Sequence, residues 1–309
     1  MSEKTVLWVS FNLFVLLMLA LDLGVFHKKS HKVTVREALL WTCVWITLAM
    51  IFNLFVYYYF DKNKALEFFT GYLIEKSLSV DNIFVIIMIF SYFKVPEAYQ
   101  HKVLFWGILG ALVMRAVFIV IGVELIHQFH WLIYVFGIFL MFTGIKMLTA
   151  GDLKLEPEKN PLVRLTQKIF PITSNFENDK FFVRKVAKWW ATPLFLVVIL
   201  IETTDLIFAV DSIPAVLAIS EDSFIVYTSN VFAIMGLRSL YFAVAGVEKN
   251  FHHLKYGLSA VLVFVGVKMC ITDLIKIPVE ISLILILFVL TIAMVSSRLF
   301  PKNATSDSA

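Results

Sequence analysis

No stretch of the chain fits Gly-x-x-x-x-Gly-Lys-Ser/Thr, so ATP-driven pumping by this polypeptide itself is not expected. Charge is scarce. Only 16% of the 309 residues are Asp, Glu, Lys or Arg, where a soluble domain carries about a quarter. Cysteine is nearly absent: Cys43 and Cys270 lie in apolar stretches, and neither belongs to a Cys-x-x-Cys pair. That pattern argues against a thiol-redox centre or a zinc site and reads as two small buried hydrophobes. A cleavable leader is missing too. The first apolar run contains Asp22 and has no small-x-small cleavage pattern, so it reads as a retained span.

What replaces charge is apolar surface. Hydrophobic residues make up 60% of the chain, Phe alone occurs 30 times, and the mean hydropathy is +0.85. This is far more than one water-facing domain can bury, so the solvent must be lipid. A span needs about 20 mostly apolar residues. The sequence predicts an all-α, polytopic membrane protein with about nine transmembrane helices. They fall at about 5–26, 36–60, 65–93, 103–125, 131–149, 191–219, 223–246, 254–273 and 278–298. The longest hydrophilic interval, 150–190, ends in Phe181-Phe182-Val183-Arg184-Lys185, an interfacial lead-in, followed by Trp189 and Trp190 at the depth of an aromatic belt.

The net charge of +4 reports topology, and nucleic acid is not an expected partner. Placed in the connections, eighteen Lys and Arg fall on one side and four on the other. The rich side is the cytoplasmic one by the positive-inside rule. The N-terminus is then outside and the C-terminus inside, which requires an odd number of spans.

The middle of the chain is duplicated. Phe142-Thr-Gly144-Ile-Lys146-Met147 matches Phe264-Val-Gly266-Val-Lys268-Met269, Gly122-Val-Glu124 matches Gly246-Val-Glu248, and Arg115 corresponds to Arg238. Each unit begins alike: Glu75 to Asp81-Asn82-Ile83 aligns with Asp205 to Asp211-Ser212-Ile213, two acids six residues apart and then a small polar residue. The whole chain is thus one membrane domain, 1–309. Two leading spans occupy 5–60, repeat 1 runs 65–149, the cytoplasmic loop 150–190, repeat 2 191–273, and the last span 278–298. Three spans per unit is odd, so the second unit enters from the opposite face. Such inverted repeats build secondary transporters with the substrate site at the repeat interface.

The acids set the chemistry. Glu75, Asp81 and Asn82 lie on the third span, and Glu202, Asp205, Asp211 and Ser212 on the sixth. Each central acid costs roughly 2.5–3.5 kcal/mol to insert. Five left ionised and alone would cost on the order of 12–18 kcal/mol, against a total stability of about 5–15 kcal/mol. They must be protonated, hydrated, paired or cation-bound. Lys76, Arg115 and Arg238 are the buried cations for pairing; Lys146 and Lys268 can snorkel out at span ends. The acids would converge better if the helices broke near Asp81 and Asp211, and Pro214 would leave the Val210 carbonyl without its helical donor. Carboxylates with Asn, Ser and Thr make an all-oxygen site suited to Mg²⁺, Ca²⁺ or Mn²⁺. No His or Cys occurs in either segment.

Gly71-Tyr-Leu-Ile-Glu75 through Asp81-Asn82, and Glu202-Thr-Thr-Asp205 through Asp211-Ser-Ile-Pro214, resemble the two signatures of the TerC family, nearest its Alx branch. The likeness runs over nearly the whole chain. It implies a multi-pass protein of the bacterial inner membrane in the wider LysE-type transporter group. Members are linked to manganese export, others to tellurium resistance, and Alx-like proteins to redox modulation. On this footing the expected metal ligands are Glu75, Asp81, Asn82, Glu202, Asp205 and Asp211. The expected activity is manganese export by alternating access, with protons as a counter-ion, no enzymatic reaction and no resident cofactor. A membrane redox modulator, a stress protein without transport activity, and a scaffold acting through the basic loop remain the rival readings.

Overall fold

A computed structural model describes residues 3–24, 34–129, 131–149, 160–185, 188–245 and 254–299. The side chains of Asp22 and Asp81, and the 246–248 part of the repeat, lie outside the described residues. The chain is overwhelmingly helical, an all-α membrane protein. Its helices are α1 (Glu3–Gly24), α2 (Val35–Tyr59), α3 (Lys62–Tyr92), α4 (Glu97–Gln128), α5 (Leu132–Thr149), α6 (Pro161–Ile169), α7 (Pro193–Leu217), α8 (Ser223–Met235), α9 (Leu237–Ala245), α10 (Leu254–Cys270) and α11 (Val279–Leu299). Every segment expected to be a span is helical over most of its described residues. Among the described residues five are long and apolar enough to cross a bilayer, in α1, α2, α4, α7 and α11. α3 has the length, 31 residues or about 46 Å, but Glu75, Lys76 and Asp81 keep it out of that set.

Polar residues at the helix starts absorb the orphan N–H groups. Thr34 caps α2, Asp61 accepts from the Lys64 amide at 2.8 Å, and Asp222 accepts from the Phe224 and Ile225 amides. Apolar residues fill the core and cover the outside as well, while a set of polar residues is turned inward. Leu13, Leu40, Ile284 and Phe288 point outward, each more than 60% exposed, whereas Thr70, Glu75, Asn82, Arg115, Ser212, Thr228, Ser229 and Asn230 are buried. With lipid outside, apolar residues gain nothing by turning inward, and polar ones must find partners within the bundle.

At the centre α3 packs on α7 and α8, and α4 packs on the same two helices. α5 lies along α10. Gly137 faces Gly266, so close that a Cβ at either position would stand 2.8 or 2.5 Å from the other's carbonyl oxygen. Seven residues on, Gly144 faces Ser259, whose hydroxyl donates to the Gly144 carbonyl. The numbering rises on one helix as it falls on the other, so the pair is antiparallel.

Four local features differ from the sequence expectation. The seventh expected span, 223–246, is divided at Gly236 into α8 and α9, where a Cβ would meet Lys76 Nζ at 2.6 Å and Trp45 Cβ at 3.2 Å. The 150–190 interval is structured where it is described. α6 sits on α7, and β1 (Phe182–Lys185) pairs antiparallel with β2 (Lys188–Ala191), absorbing both the expected lead-in and the tryptophans. Lys102 ties this segment to α4 by donating to Asp179 Oδ2 at 2.9 Å, and that hydrogen bond holds the Asp179 carboxyl below its ordinary range. Cys43, expected to be buried, is exposed on α2, where lipid supplies the apolar surroundings; Cys270 is half-buried. Finally, α3 and α7 run unbroken, α7 straight through Pro214.

Candidate functional site

Arg115, 2% exposed at mid-length in α4, is the hub. Its fork grips Asp205 of α7 in bidentate fashion, Nε donating to Oδ2 at 3.3 Å and Nη2 to Oδ1 at 3.0 Å. Nη1 pairs with Glu75 Oε1 of α3 and lies within reach of Ser212 Oγ at 3.2 Å and Asn230 Oδ1 at 3.4 Å. Asn230 of α8 returns its Nδ2 to Glu75 Oε2 at 3.0 Å. Asn82 donates from Nδ2 to Asp205 Oδ1 at 3.4 Å. Four helices meet at one guanidinium, which suits the planar, five-donor geometry of Arg and not the point charge of Lys.

Two acids share one guanidinium at a place where Glu75 is 0% exposed and Asp205 8%. Lys76 is turned to another partner. Its ammonium donates to the Ala233 carbonyl at 3.2 Å.

Of the six expected ligands, the structure brings Glu75, Asn82 and Asp205 together. Glu202 is one turn from Asp205 on the same helix. It lies against Gly110 of α4, where any Cβ would overlap its carboxylate, and its Oε2 is buried without a hydrogen-bond partner among the described residues. Asp211 is directed elsewhere, accepting from Thr143 of α5 at 3.2 Å. Six residues of straight helix turn it about 120° from Asp205, and the absence of a break at Pro214 preserves that angle. Asp81 is on α3 beside Asn82; its side chain is outside the described residues. Among the described residues no three of His, Cys, Asp and Glu stand close enough to hold a metal ion. The oxygen donors that do converge are carboxylates of Asp and Glu with the amides and hydroxyls of Asn and Ser.

Two contributors escaped the sequence. Asn230 is an isolated amide in an apolar run and belongs to no motif. Gly110 matters only for the side chain it lacks. The signal available for Asn230 was its cost, since a buried amide in a span needs a partner.

Beside Asp205 lies a cavity of about 20 Å³, lined by Asn82, Thr204, Asp205, Gly107 and the apolar Ile201 and Leu104 among others. Asn82 Oδ1, on a side chain 5% exposed, is buried without a hydrogen-bond partner among the described residues.

A family model described as "Integral membrane protein TerC family" matches residues 60–305. The chain is 50% identical over 303 residues to the "Uncharacterized membrane protein STKORF319" of Myxococcus xanthus, covering 98% of this chain and 95% of that one. It is 49% identical over 286 residues to the "Putative membrane-bound redox modulator Alx" of Escherichia coli K12, covering 90% and 89%. An "Uncharacterized membrane protein" of Rickettsia bellii is 42% identical over 290 residues, covering 94% and 96%. None of these three carries an enzyme's name. No solved structure matches the chain.

Proposed function

Since the chain belongs to the TerC family of integral membrane proteins, we propose that it is a secondary transporter exporting a hard divalent cation, manganese, from the cytoplasm. One observation carries this reading. Carboxylates from two separate segments of the chain, Glu75 and Asp205, share a single buried guanidinium. Arg115 then acts as an attached substitute for the transported ion. It satisfies the acids while the site is empty and yields them when a divalent ion competes. Glu202, whose Oε2 has no hydrogen-bond partner among the described residues, and Asn82 would complete the shell. Asp81 and Asp211 would serve ion movement farther along the path. The choice of manganese comes from the family resemblance; the donor set itself favours any hard, oxygen-seeking cation.

Alternating access needs two units that can rock against each other, and the packing supports an inverted repeat. The match of Gly144 with Gly266 places Gly137 opposite Ser259 in the alignment. The contacts Gly144–Ser259 and Gly137–Gly266 therefore exchange when the units are exchanged, as in an isologous interface. The pairings α3 with α8 and α7 with α4 exchange likewise. We take the protein to span the membrane nine times, with its N-terminus outside and its C-terminus in the cytoplasm of a bacterial cell. Protons are the proposed counter-ion.

The rival redox reading has the printed name of the Escherichia coli relative in its favour. The cysteines lend it no support: Cys43 on α2 and Cys270 on α10 are both free. The two readings part in one experiment. Cells lacking the chain are loaded with Mn²⁺, and efflux is followed with wild type, Asp205→Asn and Glu202→Gln expressed to equal levels. Transport requires wild type to restore efflux and Asp205→Asn to slow it at least about tenfold, the equivalent of ~1.4 kcal/mol. Normal efflux in both variants sinks the site. A change in membrane thiol or quinone redox state with unaltered manganese content favours the redox reading.

A further inference from the structure

α6 has two apolar sides, and among the described residues protein covers one of them. Val163 and Thr166 are buried, and the helix packs on α7. Leu162, Leu165 and Ile169 are each 43% exposed or more. At about 100° per residue these three fall within about 60° of one another, beside the buried pair. Arg164, Gln167 and Lys168, all exposed, take the opposite side. Around its axis the helix is therefore apolar and covered, then apolar and bare, then basic.

The bare stripe stands where the chain enters its spans. The ring of Phe170, the C-cap of α6, lies 5.4 Å from that of Phe182, and Phe182 lies 4.4 Å from Phe195 in the first turn of α7. Phe181 meets Trp106 of α4 at 6.4 Å, and the Lys102 ammonium stands 5.1 Å over the Phe181 ring. These contacts hold the segment against the first turns of α4 and α7, the depth at which a span leaves the hydrocarbon for the headgroups.

Charge identifies the occupant. From 160 to 191 there are six Lys and Arg and two acids. Both acids are engaged: Glu177 accepts from Lys185 at 2.5 Å and Asp179 from Lys102 at 2.9 Å. On the hairpin, exposed Trp189 pairs across the strands with exposed Arg184. An apolar stripe with a basic flank, beside an outward indole, matches the surface of an anionic leaflet.

We propose that α6 lies in the plane of the membrane surface, with Leu162, Leu165 and Ile169 sunk to the acyl boundary and Arg164 and Lys168 against the phosphates of anionic lipids. The inference depends on the chain spanning a membrane and not on what it transports. Through α6, the start of the helix that carries Glu202 and Asp205 is fastened to the lipid surface.

The full-length chain with Cys43→Ser and Cys270→Ser receives a nitroxide at Leu165→Cys or, across the helix, at Gln167→Cys. Each is placed as a single copy in nanodiscs of phosphatidylcholine, with or without phosphatidylglycerol. Relaxation of the label by oxygen, which concentrates in lipid, is compared with relaxation by a water-soluble nickel chelate. Oxygen is expected to dominate at 165 and nickel at 167. Phosphatidylglycerol should strengthen the contrast at 165, and adding Arg164→Gln and Lys168→Gln should erase that gain. Nickel access at 165 equal to that at 167 overturns the proposal, because the stripe then faces water. A label at 165 shielded from both overturns it as well, by showing that protein covers the stripe. An oxygen effect indifferent to phosphatidylglycerol overturns the assignment of anionic lipid. Where the labelled chains are not monodisperse, hydrogen exchange of wild type against Leu165→Glu with Ile169→Glu decides. The amides of α6 should exchange at least about tenfold faster in that double variant, and unchanged exchange overturns the burial of the stripe in lipid.

Discussion

Arg115 is the residue on which the interior depends. Removing one partner from a buried ion pair typically costs about 3–5 kcal/mol, and here two carboxylates would be stranded by one change. Arg115→Met should therefore melt well below wild type in detergent and express poorly. Adding Glu75→Gln and Asp205→Asn to it removes the stranded charges, and most of the lost stability should return while Mn²⁺ export stays abolished. Thermal melts of the single and triple variants, paired with efflux, separate the two roles. A single variant as stable as wild type would show that the guanidinium balances nothing. Lysine is no substitute at this position, because it cannot grip Asp205 by two parallel bonds and reach Glu75 as well.

At the scale of helices, the seam between α5 and α10 is built on missing side chains. A Cβ at Gly137 or Gly266 would meet the facing helix's backbone, which cannot rotate away as a side chain can. Gly266→Val should therefore push the helices apart and cost about 1–3 kcal/mol, read as a lowered melting temperature. A melt matching wild type would mean that the helices do not approach this closely. The element positions were legible in the sequence because each depends on a run of about 20 apolar residues. The interruptions were not. Pro214 read as a break, yet α7 absorbs it within a continuous helix, while Gly236 divides α8 from α9 beside Lys76 and Trp45, which are distant in sequence. The β1–β2 pair was hidden because Phe182 and Trp190 serve equally well in a strand or at an interface. The acids were identified from their cost in lipid and Arg115 as one of three buried cations able to pair with them, but which acids it holds was not. Whether α4 turns Arg115 toward Asp205 depends on helix rotation, which no local spacing records. Asn230 was missed for the same reason.

Considered as a whole, the proposed nine-span topology puts eighteen Lys and Arg on one face of the membrane and four on the other. Reporter fusions after residue 299 should give a cytoplasmic signal, and fusions ahead of residue 3 an external one. The reverse pattern would invert the proposed direction of transport. The shared arginine has a further consequence, for biogenesis. The amino-terminal half is made first, and it carries both Glu75 and Arg115. That half can therefore leave the insertion machinery with its deepest acid already neutralised. Asp205 arrives later, from a second half in which Arg238 is the sole arginine between α7 and the end of α10, and it docks onto a guanidinium that is already in place. Synthesis order makes the first half a template for the second, and a chain severed between α5 and α7 should depend on its earlier fragment for the later one to persist in the membrane.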